Sequence, residues 1–165
     1  MERETLKRAA AARAIEEIED GMVVGLGSGS TAEIAVELLA ARRLRIVGVP
    51  TSERTAQVAR NHGLALATLD EHPRLDLVID GADQVERGTL NLVKGRGGAL
   101  LREKFVVRAA RRMIVMVDDS KLVDRPAGGR PCRWRSSPMA GARRSTGWSA
   151  PASVPPFAAA RSIRS

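Results

Sequence analysis

The chain has a single cysteine, Cys132, among 165 residues. One thiol cannot close an internal disulfide, and it excludes metal clusters of the cysteine-rich kind. The two histidines, His62 and His72, have no metal-ligand spacing and no nearby carboxylate pattern, so both read as surface residues and no metal is expected. No run is long and apolar enough to span a bilayer, and the first residues lack a signal-peptide pattern. The expectation is a cytoplasmic protein without a membrane partner, built as one domain with a short appendage.

Acidic residues are missing from one whole region. All 19 Asp and Glu lie at or before Asp124, whereas the 27 Lys and Arg divide into twenty up to Arg125 and seven beyond it, all seven arginine. The net charge of +8 therefore belongs to the tail, and the body is nearly neutral. A nucleic-acid surface needs a helix or sheet to present its charge, and residues 126–165 show no sustained periodicity. Rich in Arg, Ser, Pro, Ala and Gly, they read as a basic, irregular or disordered tail, and no nucleic-acid partner is expected.

Up to residue 125 the pattern is an alternation. Residues 4–20 place Leu6, Ala10, Ala14, Ile15 and Ile18 near helical spacing. Residues 22–26 form a short apolar run ending in a glycine-serine turn, and residues 32–41 are helical. Residues 45–49 read as a strand, after which Ser52 caps a helix that Gly63 ends near His62. Residues 64–68, 75–79, 90–93 and 113–117 read as strands and 100–110 as a helix. This predicts an α/β fold, an open, parallel, Rossmann-like sheet with flanking helices, and puts the site at the carboxyl edge of the strands.

Four polar segments follow strand ends. Lys94-Gly95-Arg96-Gly97-Gly98 precedes a helix carrying Glu103. Glycines let the backbone approach an anion, the helix start offers unpaired amides, and Glu103 lies where it can face the same pocket. Lys94 suits an oxyanion and Glu103 a proton transfer; the alternative is a solvated helix face. Gly27-Ser28-Gly29-Ser30-Thr31 between a strand and a helix suits a phosphate or sugar hydroxyl. It departs from the dinucleotide fingerprint at Thr31 and Ala32, and a ligand-free tight turn is the other reading. Asp80-Gly81-Ala82-Asp83 places two carboxylates where they can address adjacent hydroxyls of a polyol, or simply cap a turn. Lys121, in Asp118-Asp119-Ser120-Lys121, reads as a phosphate contact or a surface lysine.

Together these segments, with Pro50-Thr51-Ser52, resemble the A-type ribose-5-phosphate isomerases in order and spacing, from about residue 4 to Asp124. The resemblance implies interconversion of ribose 5-phosphate and ribulose 5-phosphate in the pentose phosphate pathway, without metal or organic cofactor. It implies Glu103 as the general base working through an enediolate, Asp80 and Asp83 in ring opening and hydroxyl positioning, and Lys94 beside the reacting oxygens. The implied substrate-binding set is Ser28, Gly29, Ser30, Thr31, Asp80, Gly81, Ala82, Asp83, Lys94, Gly95, Arg96, Gly97 and Lys121. The partner would be a small sugar phosphate, and the assembly a homodimer or homotetramer. Gln84 stands where the family usually has Glu, and Arg96 where it usually has a second glycine; its side chain would disrupt the loop if φ there is positive, or reach the substrate phosphate.

Past Asp124 the family continues with a Pro-Val-Glu-Val-type strand, a Gly-Trp-Arg-like element and a small lid domain, absent here. A shifted reading frame through residues 131–138 can encode Val-Pro-Val-Glu-Val-Val-Pro, similar to that missing strand. The expectation is an isomerase domain at residues 1–125 and an out-of-frame tail at 126–165 replacing the lid. The alternative function is a non-catalytic sugar-phosphate-binding remnant.

Overall fold

The computed structural model describes residues 2–126. The elements run α1 (Glu2–Ile15), β1 (Val23–Leu26), α2 (Ser30–Ala41), β2 (Val47–Pro50), α3 (Glu53–Asn61), β3 (Leu75–Gly81), β4 (Gln84–Glu86), β5 (Leu92–Val93), α4 (Leu100–Ala109), β6 (Ala110–Met116), a 3-10 turn (Asp119–Lys121) and β7 (Leu122–Val123). A four-stranded sheet has the order β2-β1-β3-β6, with every pair parallel.

β3 reads Leu-Asp-Leu-Val-Ile-Asp-Gly and is buried along most of its length. A parallel strand covered on both faces needs such a run, because neither face meets water. Val24, Leu26, Leu77 and Ile79 share one core with Ala11 and Ile18 from the α1 region and with Ala35, Val36 and Leu39 of α2. Leu75 and Val78 form a second cluster with Val106 of α4. Gly25 permits that packing: a Cβ there would lie 2.4 Å from Val78 Cγ2 and 2.7 Å from Val106 Cγ1.

Ser52 caps α3, its side chain accepting from the Thr55 amide at 3.1 Å, and Gly63 at φ +74 ends that helix region in the left-handed conformation a glycine tolerates. α1 stops at Ile15, earlier than its periodicity suggests, although Ile18 remains fully buried. The Arg42 guanidinium donates to the carbonyls of Ile15 and Ile18, satisfying acceptors at the end of the helix.

Two strand expectations change. Residues 64–68 make only the parallel bridge Gly48↔Leu66, because Thr68 turns away, its amide donating to Glu71 Oε2 at 2.7 Å. The strand expected at residues 90–93 shortens to β5 and leaves the main sheet. It pairs antiparallel with β4 in a separate sheet of order β5-β4-β7. β4 is too short for any period to reveal it, and its turn is closed by Gly88 at φ +85 and Leu90 at φ +60. No helix among the described residues is long and apolar enough to cross a membrane. Apart from Pro126, the tail, Cys132 and the shifted-frame string lie outside the described residues.

Candidate active site

The strand order reverses at β1: β2 lies on one side of it and β3 on the other, all parallel. Such a switch point leaves a crevice at the carboxyl ends of the two strands. The Gly27 amide continues the pairing there, donating to Ile79 O at 2.9 Å. A Cβ on Gly27 would sit 2.2 Å from Asp80 Oδ1 and 2.6 Å from Asp80 Cα, so glycine is what lets the loop lie against this carboxylate.

Asp80 is fully buried. Its Oδ1 accepts from the amides of Ser28 (3.1 Å) and Gly81 (2.7 Å). Its Oδ2 meets the Lys94 ammonium at 2.9 Å. Lys94 Nζ also lies 3.3 Å from Glu103 Oε1. Glu103 occupies the first turn of α4, 5% exposed, where a carboxylate is favoured by the helix dipole. Its Oε2 is buried and has no hydrogen-bond partner among the described residues. One cation thus stands between two buried carboxylates. Burial pushes the Asp80 carboxyl above its ordinary range; Lys94 pulls it down and the Glu103 charge adds to the rise. The row can hold negative charge developing near Lys94, beside a Glu103 Oε2 that makes no hydrogen bond among the described residues.

Asp83 has a different task in the architecture. Its amide donates to Val93 O at 2.8 Å and its Oδ2 accepts from the Arg96 amide at 2.9 Å, which ties the loop bearing Lys94 to the end of β3. Arg96 does not disrupt that loop. Positive φ falls on Gly95 (+96) and Gly98 (+87), while Arg43 and Leu90 are the non-glycine residues with positive φ among those described. Gly95 is required twice over, since a Cβ would also lie 2.7 Å from Leu100 Cβ. The Arg96 and Gly97 positions are exposed, and Ala82 is half-buried between β3 and β4.

The glycine-serine turn opens α2, with Gly29 at φ +95 as its N-cap. Amides in the first turn of a helix have no partner within it and favour an anion. Ser30 and Thr31 begin that turn. Ser30 Oγ accepts from Lys7 Nζ at 2.8 Å, and Arg3, Lys7, Ser30 and Glu33 line a hollow of about 400 Å³. Lys121 lies in the 3-10 turn, where its amide donates to Asp118 O at 2.9 Å. Asp118 is buried, which opposes its charge, but bonds from the Ser120 side chain and amide outweigh burial and hold its carboxyl below the ordinary range, helped by Lys121 and Arg3. A second hollow of about 420 Å³, lined by Val49, Leu66, Leu69 and Val106, contains none of the residues in the carboxylate row. The buried charges, not the size of a hollow, mark the site.

Lys7, Thr51 and Thr55 were not legible as site residues. Lys7 sits in an amphipathic helix like any solvated lysine, and only the packing of α1 on α2 brings it to Ser30. Thr51 and Thr55 are fully buried polar side chains that donate to the carbonyls of Leu26 and Gly27 at the end of β1; the Pro50-Thr51-Ser52 string was the only signal near them. His62 is exposed and His72 half-buried. Among the described residues, no group of three His, Cys, Asp or Glu could hold a metal ion.

A family model described as ribose 5-phosphate isomerase A (phosphoriboisomerase A) matches residues 47–132. A ribose-5-phosphate isomerase A of Gloeobacter violaceus is 58% identical over 127 residues, which is 75% of this chain and 55% of the relative. The chain therefore spans about half the length of the relatives it matches. The solved ribose 5-phosphate isomerase A of Methanocaldococcus jannaschii superposes with a TM-score of 0.75 at 41% identity, over 78% of this chain and 59% of that one. A D-ribose-5-phosphate isomerase in complex with phospho-erythronic acid gives a TM-score of 0.76 at 43% identity, over 79% of this chain and 59% of that one.

Proposed function

The chain belongs to the ribose 5-phosphate isomerase A family, and from that premise we propose that it interconverts D-ribose 5-phosphate and D-ribulose 5-phosphate with Glu103 as the general base. The observation that carries this reading is Glu103 itself: a nearly buried carboxylate with one oxygen 3.3 Å from Lys94 and the other without a hydrogen-bond partner among the described residues. In an aldose-ketose isomerisation one proton leaves C2 and one arrives at C1, while a hydroxyl proton passes from O2 to O1. In the aldose-to-ketose direction Glu103 Oε2 takes the C2 proton, and the electron pair forms the C1–C2 double bond of an enediolate. The charge on its oxygens is offset by Lys94. Glu103 then returns the proton to C1.

Asp80, which burial makes readier to hold a proton than an ordinary Asp, serves ring opening and the sugar hydroxyls, with Asp83 positioning the loop and the polyol. The phosphate is received by the first turn of α2 at Ser30 and Thr31, with Lys7 and Lys121 as cations. In this reading residues 1–125 form the sugar-phosphate module, and residues 126–165 are an out-of-frame basic sequence standing where the family has its lid. The enzyme works without metal or organic cofactor in the pentose phosphate pathway, as a cytoplasmic homodimer or homotetramer. The match to 55% of the relative's length favours one other reading, a chain that binds the sugar phosphate without turning it over.

Isomerase assay of the purified chain separates the two. Turnover that falls by about 10²–10⁴ in Glu103→Gln, with substrate binding retained, supports the base. Binding without turnover in the unaltered chain supports the second reading, and turnover that survives Glu103→Gln refutes the role of Glu103.

A further inference from the structure

Ser28 and Thr51 meet beside the crevice with their hydroxyl oxygens 2.7 Å apart. Taken alone the contact has no direction, since either oxygen can donate. Thr51 supplies an asymmetry. It is fully buried, and its Oγ1 lies 3.0 Å from the carbonyl oxygen of Leu26. That carbonyl accepts the Thr51 amide at 2.9 Å and has a second lone pair for the hydroxyl. With the Thr51 proton on Leu26, the proton between the two hydroxyls comes from Ser28. The Ser28 amide is committed as well, to Asp80 Oδ1 at 3.1 Å.

The same logic repeats one residue away. Thr55 Oγ1 donates to Gly27 O at 2.8 Å, so Ser52, whose Oγ lies 2.8 Å from it, is the donor of that pair. Two buried threonines, Thr51 just before the cap of α3 and Thr55 in its first turn, thereby hold two consecutive carbonyls, Leu26 and Gly27, at the end of β1.

We propose that Thr51 is a positioning residue that fixes Ser28 as a hydrogen-bond acceptor, so that Ser28 selects a hydroxyl of the sugar and not an oxygen of the phosphate. The proposal rests on the sugar-phosphate reading above and deepens it. A half-buried Ser28 that has given away its proton offers only lone pairs. Phosphate oxygens, which carry lone pairs and negative charge, are repelled there, whereas a hydroxyl lying along Asp80 has a partner for its proton. The two ends of the ligand are thus sorted along one loop: the polyol at Ser28 and Asp80, the phosphate at Ser30 and Thr31.

The test titrates the full chain calorimetrically with inorganic phosphate and with phospho-erythronic acid. Ser28→Ala is expected to weaken phospho-erythronic acid about tenfold and leave inorganic phosphate unchanged. Thr51→Val should produce the same selective loss, because the freed Ser28 hydroxyl loses its orientation, and Thr51→Ser should restore the wild-type preference. Equal losses for both ligands in Ser28→Ala, or an unchanged preference in Thr51→Val, overturn the proposal. Neutron diffraction of the deuterated, ligand-free chain reads the polarity directly. A deuteron on Ser28 directed at Thr51 supports it, and one on Thr51 directed at Ser28 overturns it. Failure of the unaltered chain to bind either ligand counts against the sugar-phosphate reading, and the neutron result still decides the polarity.

Discussion

Replacing Lys94 by methionine removes the cation that stands between two buried carboxylates. The lysine side chain is 11% exposed and stands 2.9 Å from Asp80 Oδ2 and 3.3 Å from Glu103 Oε1. Methionine keeps most of the volume, so the change is mainly one of charge. Breaking a buried ion pair by removing one partner typically costs about 3–5 kcal/mol, because the remaining charge is left in a medium that does not solvate it. Here two charges remain, and they repel. The chain relieves this by binding a proton, so the cost depends on pH. In the unaltered protein the Asp80 carboxyl is already raised above its ordinary value of 3.8, by burial first. A raised carboxyl binds its proton more tightly in the folded than in the unfolded state. Its contribution to stability is therefore fully present below the unfolded value and is lost as pH rises through the folded one. Lys94→Met removes the pull that Lys94 exerts downward and keeps the push from Glu103, so this window extends to higher pH. Urea unfolding followed by circular dichroism should show a loss of about 3–5 kcal/mol at pH 7 and a markedly smaller loss at pH 5. A loss under about 1 kcal/mol at pH 7, the scale of an exposed pair, or a loss identical at both pH values, refutes the reasoning.

Gly27→Ala should lower stability by about 1–3 kcal/mol through overpacking, read as a fall in thermal midpoint. It should cost more activity than stability, because the added Cβ falls 2.2 Å from Asp80 Oδ1 and displaces a carboxylate of the site. Lys7→Met should raise KM for the sugar phosphate about tenfold or more, the scale of one charge-assisted bond, with kcat little changed. An unchanged KM in steady-state assays would remove Lys7 from the phosphate site.

The parallel sheet was legible because its central strands are continuous apolar runs and its helices carry ordinary stop signals, such as Ser52 and Gly63. The small sheet was not, since β4 and β5 have three and two residues, fewer than a period needs to repeat. Residues 64–68 misled for the opposite reason: the apolar alternation is present, but the Thr68–Glu71 turn diverts the chain after one bridge.

Local sequence was enough to nominate Asp80, Lys94 and Glu103, since strand ends, glycine loops and helix starts are local features. Only the tertiary structure decided that these three share one buried row, that Asp83 holds the Arg96 amide, and that Lys7 reaches Ser30 across 23 positions of chain. It also decided that the loop's positive φ angles fall on Gly95 and Gly98 and not on Arg96. The physical reason is the range over which each property acts. Backbone propensity is set by a few neighbouring residues. Burial, ion pairing and the direction of a hydroxyl proton depend on groups that only the packed sheet and helices bring within about 3 Å, the length of a hydrogen bond.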